Sequence, residues 1–307
     1  MSSCLGDIIF GIILQMKRYF LIAFPILFLL ASSGCSPVPI TFSGQAAMGD
    51  ASAFLSFGPR ISGTEANRLA GDWILDRLKQ SGWETFTDEG EYKGVAVRNL
   101  AAHKGQGPVV ILGAHYDSRR CADIPQGGCD EPVLGASDGA SGVVVLLELA
   151  RTLEVDWQKT QVWLVFFDAE DNGGLDGWDW IVGSNQFARF VNRQRGAGMV
   201  FEAMVLLDMV GGRDQLFLRE GRSDPALQGE LWGIASQLGF GSVFLPDQMG
   251  AMTDDHVPFL MLGIPSVDII GWPYTYWHTN QDTLDKINAI SIERVGRTVE
   301  TWLEGKK

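Results

Sequence analysis

Five short stretches of this sequence hold seven residues that could do metal chemistry. His115 and Asp117 close I-L-G-A-H-Y-D-S, and Asp138 lies in G-A-S-D-G-A-S-G. Glu170 and Asp171 end F-F-D-A-E-D, Asp208 ends V-L-L-D, and His278 lies in Y-W-H-T-N-Q-D-T. A carboxylate or imidazole at the end of a buried strand sits on the rim of a sheet, not in its core. Residues from several strand ends can meet in one crevice, where open α/β sheets bind their ligands. Imidazoles mixed with carboxylates suit zinc.

Each motif also has an ordinary reading. His115 and Asp117 are at i and i+2 on a strand end and so share a face. Asp117 can then bond the far nitrogen of His115 and fix its tautomer; otherwise the pair is a surface strand end. Asp138 in its small-residue loop is either a helix cap, a favoured place for Asp, or a carboxylate bridging two metals. Glu170 and Asp171 face opposite ways on an extended chain. One can bind metal while the other serves as a proton shuttle, or both are a solvated acidic loop. Asp208 is a turn or a site residue. His278, beside Trp277, is packed or ligating. His256 follows Asp254 and Asp255, acids that need partners if buried. Trp277 and Trp178 are candidate walls of a cleft mouth.

Alternating elements must place these residues. Thr64 caps a helix to about Gln80, with Leu69, Trp73 and Leu78 inward and Gly82 as its stop. Trp83 to Leu100 reads as two strands joined near Gly90 and Gly94. Pro108 to Gly113, Val162 to Phe167, Phe201 to Leu207 and Ile264 to Ile270 read as strands, the first two central in the sheet. Ser141 to Leu153 is a largely buried helix; Ser223 and Ser291 cap two more. The expected fold class is α/β, a mixed, mostly parallel central sheet with helices on both faces.

The chain has 307 residues, 46% hydrophobic and 20% charged, with a net charge of -13. That length suits one large domain, and such acidity argues against nucleic acid as a partner. Met16-Lys17-Arg18, an apolar run from Tyr19 to Ala31, and Ser32-Ser33-Gly34-Cys35 resemble a bacterial lipoprotein signal with Cys35 as the lipidated residue. A plain signal peptide or an uncleaved anchor are the alternatives, and all three place the domain outside the cytoplasm. Residues 1–35 are therefore the targeting segment, 36–55 a linker, and 56–307 one catalytic domain. In an oxidising compartment Cys121 and Cys129 read as a local disulfide.

The order H-x-D, G-A-x-D, F-x-x-E-[ED], L-D and W-H-T resembles metallopeptidase clan MH, family 28. That family holds zinc aminopeptidases and the related glutaminyl-peptide cyclotransferases. The resemblance covers residue 56 to the C-terminus and implies a mixed sheet sandwiched by helices. It implies that His115, Asp138 and Asp208 hold one zinc and that Asp138, Asp171 and His278 hold another. Glu170 matches the general acid/base. Asp171 stands where the family more often has Glu, so its loop must come closer to the metal. The segment from Asp254 to Pro265 and the loop P-Y-T-Y-W-H are similar to the cyclase branch. There Asp254 is an active-site acid and Trp277 walls the substrate pocket. One zinc is typical of that branch, held by Asp138, Asp171 and His278, while Asp208 joins a network of acids. The expected partner is a peptide or protein N-terminus. The reaction is conversion of N-terminal Gln to pyroglutamate or, alternatively, two-zinc aminopeptidase hydrolysis. Retention of Glu170 and all five ligand positions argues against a non-catalytic binding module.

Overall fold

The apolar runs pair into one sheet. The computed structural model describes residues 41–124, 129 and 131–306. The targeting segment expected at 1–35, with Cys35, lies outside them. β1 (Glu84–Tyr92) and β2 (Val95–Gly105) form a hairpin. It turns at Lys93 and Gly94, with φ of 51° and 80°, the left-handed pair that a two-residue turn requires. β3 (Val109–His115), β4 (Gln161–Phe167) and β5 (Phe201–Asp208) follow. The short β6 (Phe217–Arg219) and β7 (Phe244–Gln248) pair only with each other, and β8 (Ser266–Ile270) returns to the main sheet. The order is β1-β2-β4-β3-β5-β8. β2 is antiparallel to β1 and β4, whereas β4, β3, β5 and β8 run parallel. The mixed, mostly parallel sheet expected from the sequence is the one observed.

Alternate strand residues face opposite layers. Val110, Leu112 and Ala114 join a core with α1 (Gly44–Leu55), α2 (Glu65–Gln80) and α3 (Ala140–Thr152). Val109 and Ile111 pack on the other side against α4 (Val182–Gly196). α5 (Pro225–Gln237) and α7 (Ala289–Glu304) belong to the first layer, and the short α6 (Val257–Met261) to the second. Full burial of each Val or Leu stabilises by about 1.5–3 kcal/mol. In α3, 12 of 13 residues are buried. Gly142 lets it lie on β5, since a Cβ there would be 2.2 Å from the Leu207 carbonyl oxygen.

The span 36–55, read above as a linker, contains α1 and is corrected. Ser43 caps this helix, its hydroxyl accepting from the Ala46 N–H. Its buried face is largely Gly44, Ala47 and Ala51. Small residues give a weak hydrophobic signal but a close approach: a Cβ on Gly44 would be 2.0 Å from the Ala289 carbonyl oxygen. Leu69, expected inward, is 41% exposed, because Ala70, Ile74 and Leu78 make the buried stripe of α2. Asp224 caps α5 in place of Ser223, whose hydroxyl donates to Glu220. Asn288 caps α7, and Ser291 lies within it, donating to the Gly212 carbonyl. No helix among the described residues is long and apolar enough to cross a membrane.

Candidate metal centre

The parallel strands end on one rim. Gly113 is level with Leu206, so His115 and Asp208, each two residues further on, leave the sheet side by side. Ala169 and Met209 follow β4 and β5 with φ of 55° and 48°. This left-handed backbone bends the chain sharply off the strand ends. His115 Nε2 is 3.0 Å from Asp138 Oδ1 and 3.3 Å from Asp208 Oδ1. His278 Nε2 is 2.9 Å from Asp171 Oδ1 and 3.8 Å from Asp138 Oδ2. Two donor groups result, His115–Asp138–Asp208 and Asp138–Asp171–His278, each with its donor atoms within 4.8 Å of one another. Asp138 turns one oxygen to each group.

Asp138 is not a helix cap: Gly139 occupies that position and no side chain caps α3. Two buried groups hold its loop instead. Asp282 accepts from the Ser137 and Asp138 N–H groups at 2.9 and 3.1 Å and from the Tyr274 hydroxyl at 2.7 Å. Arg60 donates to the Leu134 and Gly135 carbonyls at 2.9 and 3.0 Å. Gly139 allows the close approach, since a Cβ there would be 2.4 Å from His115 Nε2.

Asp117 Oδ1 lies 3.4 Å from His115 Nδ1. Its two oxygens also accept from the Glu170 and Asp171 N–H groups, each at 3.2 Å, tying β3 to the loop after β4. Glu170 is buried beside the ligands. Burial pushes its carboxyl well above the ordinary range; His115 opposes this, and Asp171, Asp254 and Asp255 reinforce it.

The residues fit a bound cation. All five candidate ligands are buried. Asp208 Oδ1 and Asp171 Oδ2 have no hydrogen-bond partner, although buried polar atoms normally find one. Burial, opposed by the neighbouring His115 imidazole and reinforced by Asp254 and Asp138, pushes Asp208 up to about 8. Burial and then Asp138, against the pull of His278, push Asp171 up to about 6. Acids crowded in this way are relieved by a multivalent cation, and the imidazole–carboxylate set is one that zinc accepts.

A cavity of about 310 Å³ opens over these groups. Glu170 and Asp254 lie at its acidic side, and Trp180, Trp272 and Trp277 form its walls. The Trp277 ring stacks on His278 at 3.7 Å, and Trp272 meets Trp277 edge-on at 5.1 Å. Trp178, a candidate wall in the sequence, packs on Tyr92 at 5.2 Å outside this cavity; Trp180, two residues on, takes the place. His256 is buried 3.2 Å from Glu220 and belongs to neither group. Arg60, Asp282 and Asp123 carry no signal in the sequence, because their links to the site span long sequence separations; Trp180 is passed over for Trp178. The Cys121–Cys129 disulfide forms, with Cα atoms 4.9 Å apart.

A mixed sheet bearing adjoining imidazole–carboxylate groups on its strand ends, with a buried acid beside them, defines a metalloenzyme of the α/β exopeptidase type. The profile of Peptidase family M28 matches residues 97–303, and the chain belongs to this family. A glutaminyl-peptide cyclotransferase of Drosophila melanogaster is 25% identical over 283 residues, covering 80% of this chain and 76% of that protein. Among solved structures, Porphyromonas gingivalis glutaminyl cyclase is 34% identical with a TM-score of 0.79, over 87% of this chain and 99% of that one. A Zn-dependent exopeptidase of Parabacteroides distasonis is 30% identical with a TM-score of 0.79, over 88% and 100% of the two chains.

Proposed function

We propose that this chain is a zinc-dependent glutaminyl-peptide cyclotransferase, which closes an N-terminal Gln to pyroglutamate and releases ammonia. The observation that carries this reading is the small cavity walled by Trp277 and Trp272, with Glu170, Asp208 and Asp254 gathered in it. It fits one side chain held against an acid cluster. The similarity to glutaminyl cyclases supports it. Asp138, Asp171 and His278 would hold one zinc, and His115 and Asp208 can share Asp138 with a second. Zinc bound there supplies a Lewis acid for a carbonyl oxygen. Glu170 takes a proton from the α-amine as its nitrogen bonds to the γ-carbonyl carbon. The same carboxyl then gives a proton to the nitrogen that leaves as ammonia. Trp277 holds the side chain flat, and Asp254 and Asp208 share the acid cluster with Glu170.

A second reading, a two-zinc aminopeptidase, rests on the complete His115–Asp138–Asp208 group and its unpartnered Asp208 oxygen. Glu170 would then take its proton from water attacking the first peptide bond. Purified, zinc-loaded protein separates the two. Ammonia release from an N-terminal glutaminyl peptide, without free amino acid, is the expected result. Liberated amino acids, with two zinc ions per chain, would establish the second reading instead. Glu170→Gln should lower turnover by about 100- to 10,000-fold with metal still bound; full activity in that variant removes the assigned role. The domain works outside the cytoplasm, anchored through a lipid on Cys35. Loss of membrane association in Cys35→Ser tests the anchor.

A further inference from the structure

The loop closed by the Cys121–Cys129 disulfide carries a carboxylate that neither reading above employs. Asp123 Oδ1 lies 3.4 Å from His278 Nδ1, on the ring edge opposite the nitrogen that faces Asp171 and Asp138. The contact is also made through the backbone: the Asp123 and Ile124 N–H groups donate to the His278 carbonyl at 3.2 and 3.4 Å. His278 needs such a hold, because its φ of 55° is a left-handed conformation that a non-glycine residue adopts only at a cost.

Arg119 ties this loop to the other ligand. Its Nε donates to Asp123 Oδ1 at 2.8 Å, and its Nη1 donates to the Asp171 carbonyl at 2.8 Å. Its guanidinium lies 5.0 Å over the Trp180 ring, which in turn stacks on His278 at 5.8 Å. The base of the loop is fixed on both sides. Ala122 N–H donates to the Glu131 carbonyl at 2.7 Å, Val133 N–H donates to the Arg119 carbonyl at 3.1 Å, and the disulfide crosses between them. Asp123 is thus held from behind by a cross-linked loop and from the side by a buried arginine. Its remaining reach is toward one imidazole.

We propose that Asp123 is the positioning residue of His278, and that the disulfide loop sets how tightly the Asp138–Asp171–His278 group holds its metal. A carboxylate on the outer nitrogen of a ligating histidine fixes its tautomer and ring orientation and raises its basicity. Asp117 offers this to His115 from two residues further along the same segment. His278 lies in a loop with no such neighbour in its own segment, and receives it from residues about 150 positions earlier. The inference rests on the metal assignment above but not on which reaction the metal serves.

The test is zinc affinity of the full chain, measured by competition with a chelator of known affinity. Asp123→Asn keeps the size of the side chain and removes its charge. It should bind zinc about 10- to 100-fold more weakly, while the metal-free protein still unfolds in one cooperative transition, at a lower temperature because the pair with buried Arg119 is weakened. The visible absorption of the Co(II)-substituted protein should shift, which a purely structural role would not cause. Asp123→Glu should recover part of the affinity. The double variant Cys121→Ser, Cys129→Ser should lose affinity in the same direction. Wild-type affinity and an unaltered cobalt spectrum in Asp123→Asn would overturn the inference and leave the proposed function standing. A wild-type chain that binds no zinc would overturn both.

Discussion

The two candidate ligand groups are built differently. His115 and Asp208 leave neighbouring parallel strands, and the hydrogen bonds of the sheet hold them in register. Asp171 and His278 come from loops after β4 and β8. Their positions depend on Asp117, Arg119, Asp123 and the cross-linked loop. Asp138 serves both groups and is held from below by Asp282 and Arg60. The difference teaches that a sheet edge can seat a ligand with local sequence alone. A ligand on a loop needs support from distant parts of the chain.

The comparison breaks most completely at the shared residue. Asp138→Ala should abolish metal retention in both groups and reduce turnover by more than about 1,000-fold, since the catalytic metal and its orientation go together. Metal analysis after dialysis checks this, and one ion retained per chain would show that the groups are independent. A sharper test sets His278→Ala against His115→Ala. Under the cyclase reading, His278→Ala removes the ion and the activity, whereas His115→Ala keeps one zinc and part of the turnover. Equal loss in both would favour paired metals and hydrolysis.

The smallest expected effect is on stability. Glu220 accepts from the Met252, Arg222 and Ser223 N–H groups, and so fixes the segment that brings Asp254 over Asp208. Burial alone would raise its pKa. Hydrogen bonds from His256 and the backbone outweigh burial and hold it down to about 2, against an ordinary 4.5. A depressed carboxyl contributes stability fully above its unfolded pKa and loses it as pH falls toward the folded value. Glu220→Gln should therefore lower the Tm at pH 7, and the difference from wild type should shrink between pH 4.5 and 2. A difference in Tm that does not vary with pH would contradict this.

The strand-seated half of the site was legible because its signals are local. An apolar run followed by His or Asp marks both the strand and its rim, as at His115 and Asp208. Asp117 was legible for the same reason, two residues from its partner. Asp138 required the company of the other motifs, since alone it reads as a cap. Asp123 and Asp282 act across more than 140 residues, so their partners could not be read from their own segments, although one lies beside Cys121 and the other in the His278 stretch. α4 begins after Ile181, a left-handed residue with no side-chain cap, so it shows no start signal. α1 hides for another reason: its packing face is glycine and alanine until Phe54 and Leu55 at its last turn. Trp178 and Trp180 are equivalent in composition, and only the turn between them decides which one reaches the cavity.

Among the described residues, β1 stands at the outer edge of the sheet, with no further strand paired to it. Its sequence, E-T-F-T-D-E-G-E-Y, carries the exposed Glu84, Glu89 and Glu91 along that strand. Two copies meeting margin to margin would bring like charges together before any hydrogen bond could form. Charges along an open strand are one way that an edge is kept from pairing with another chain.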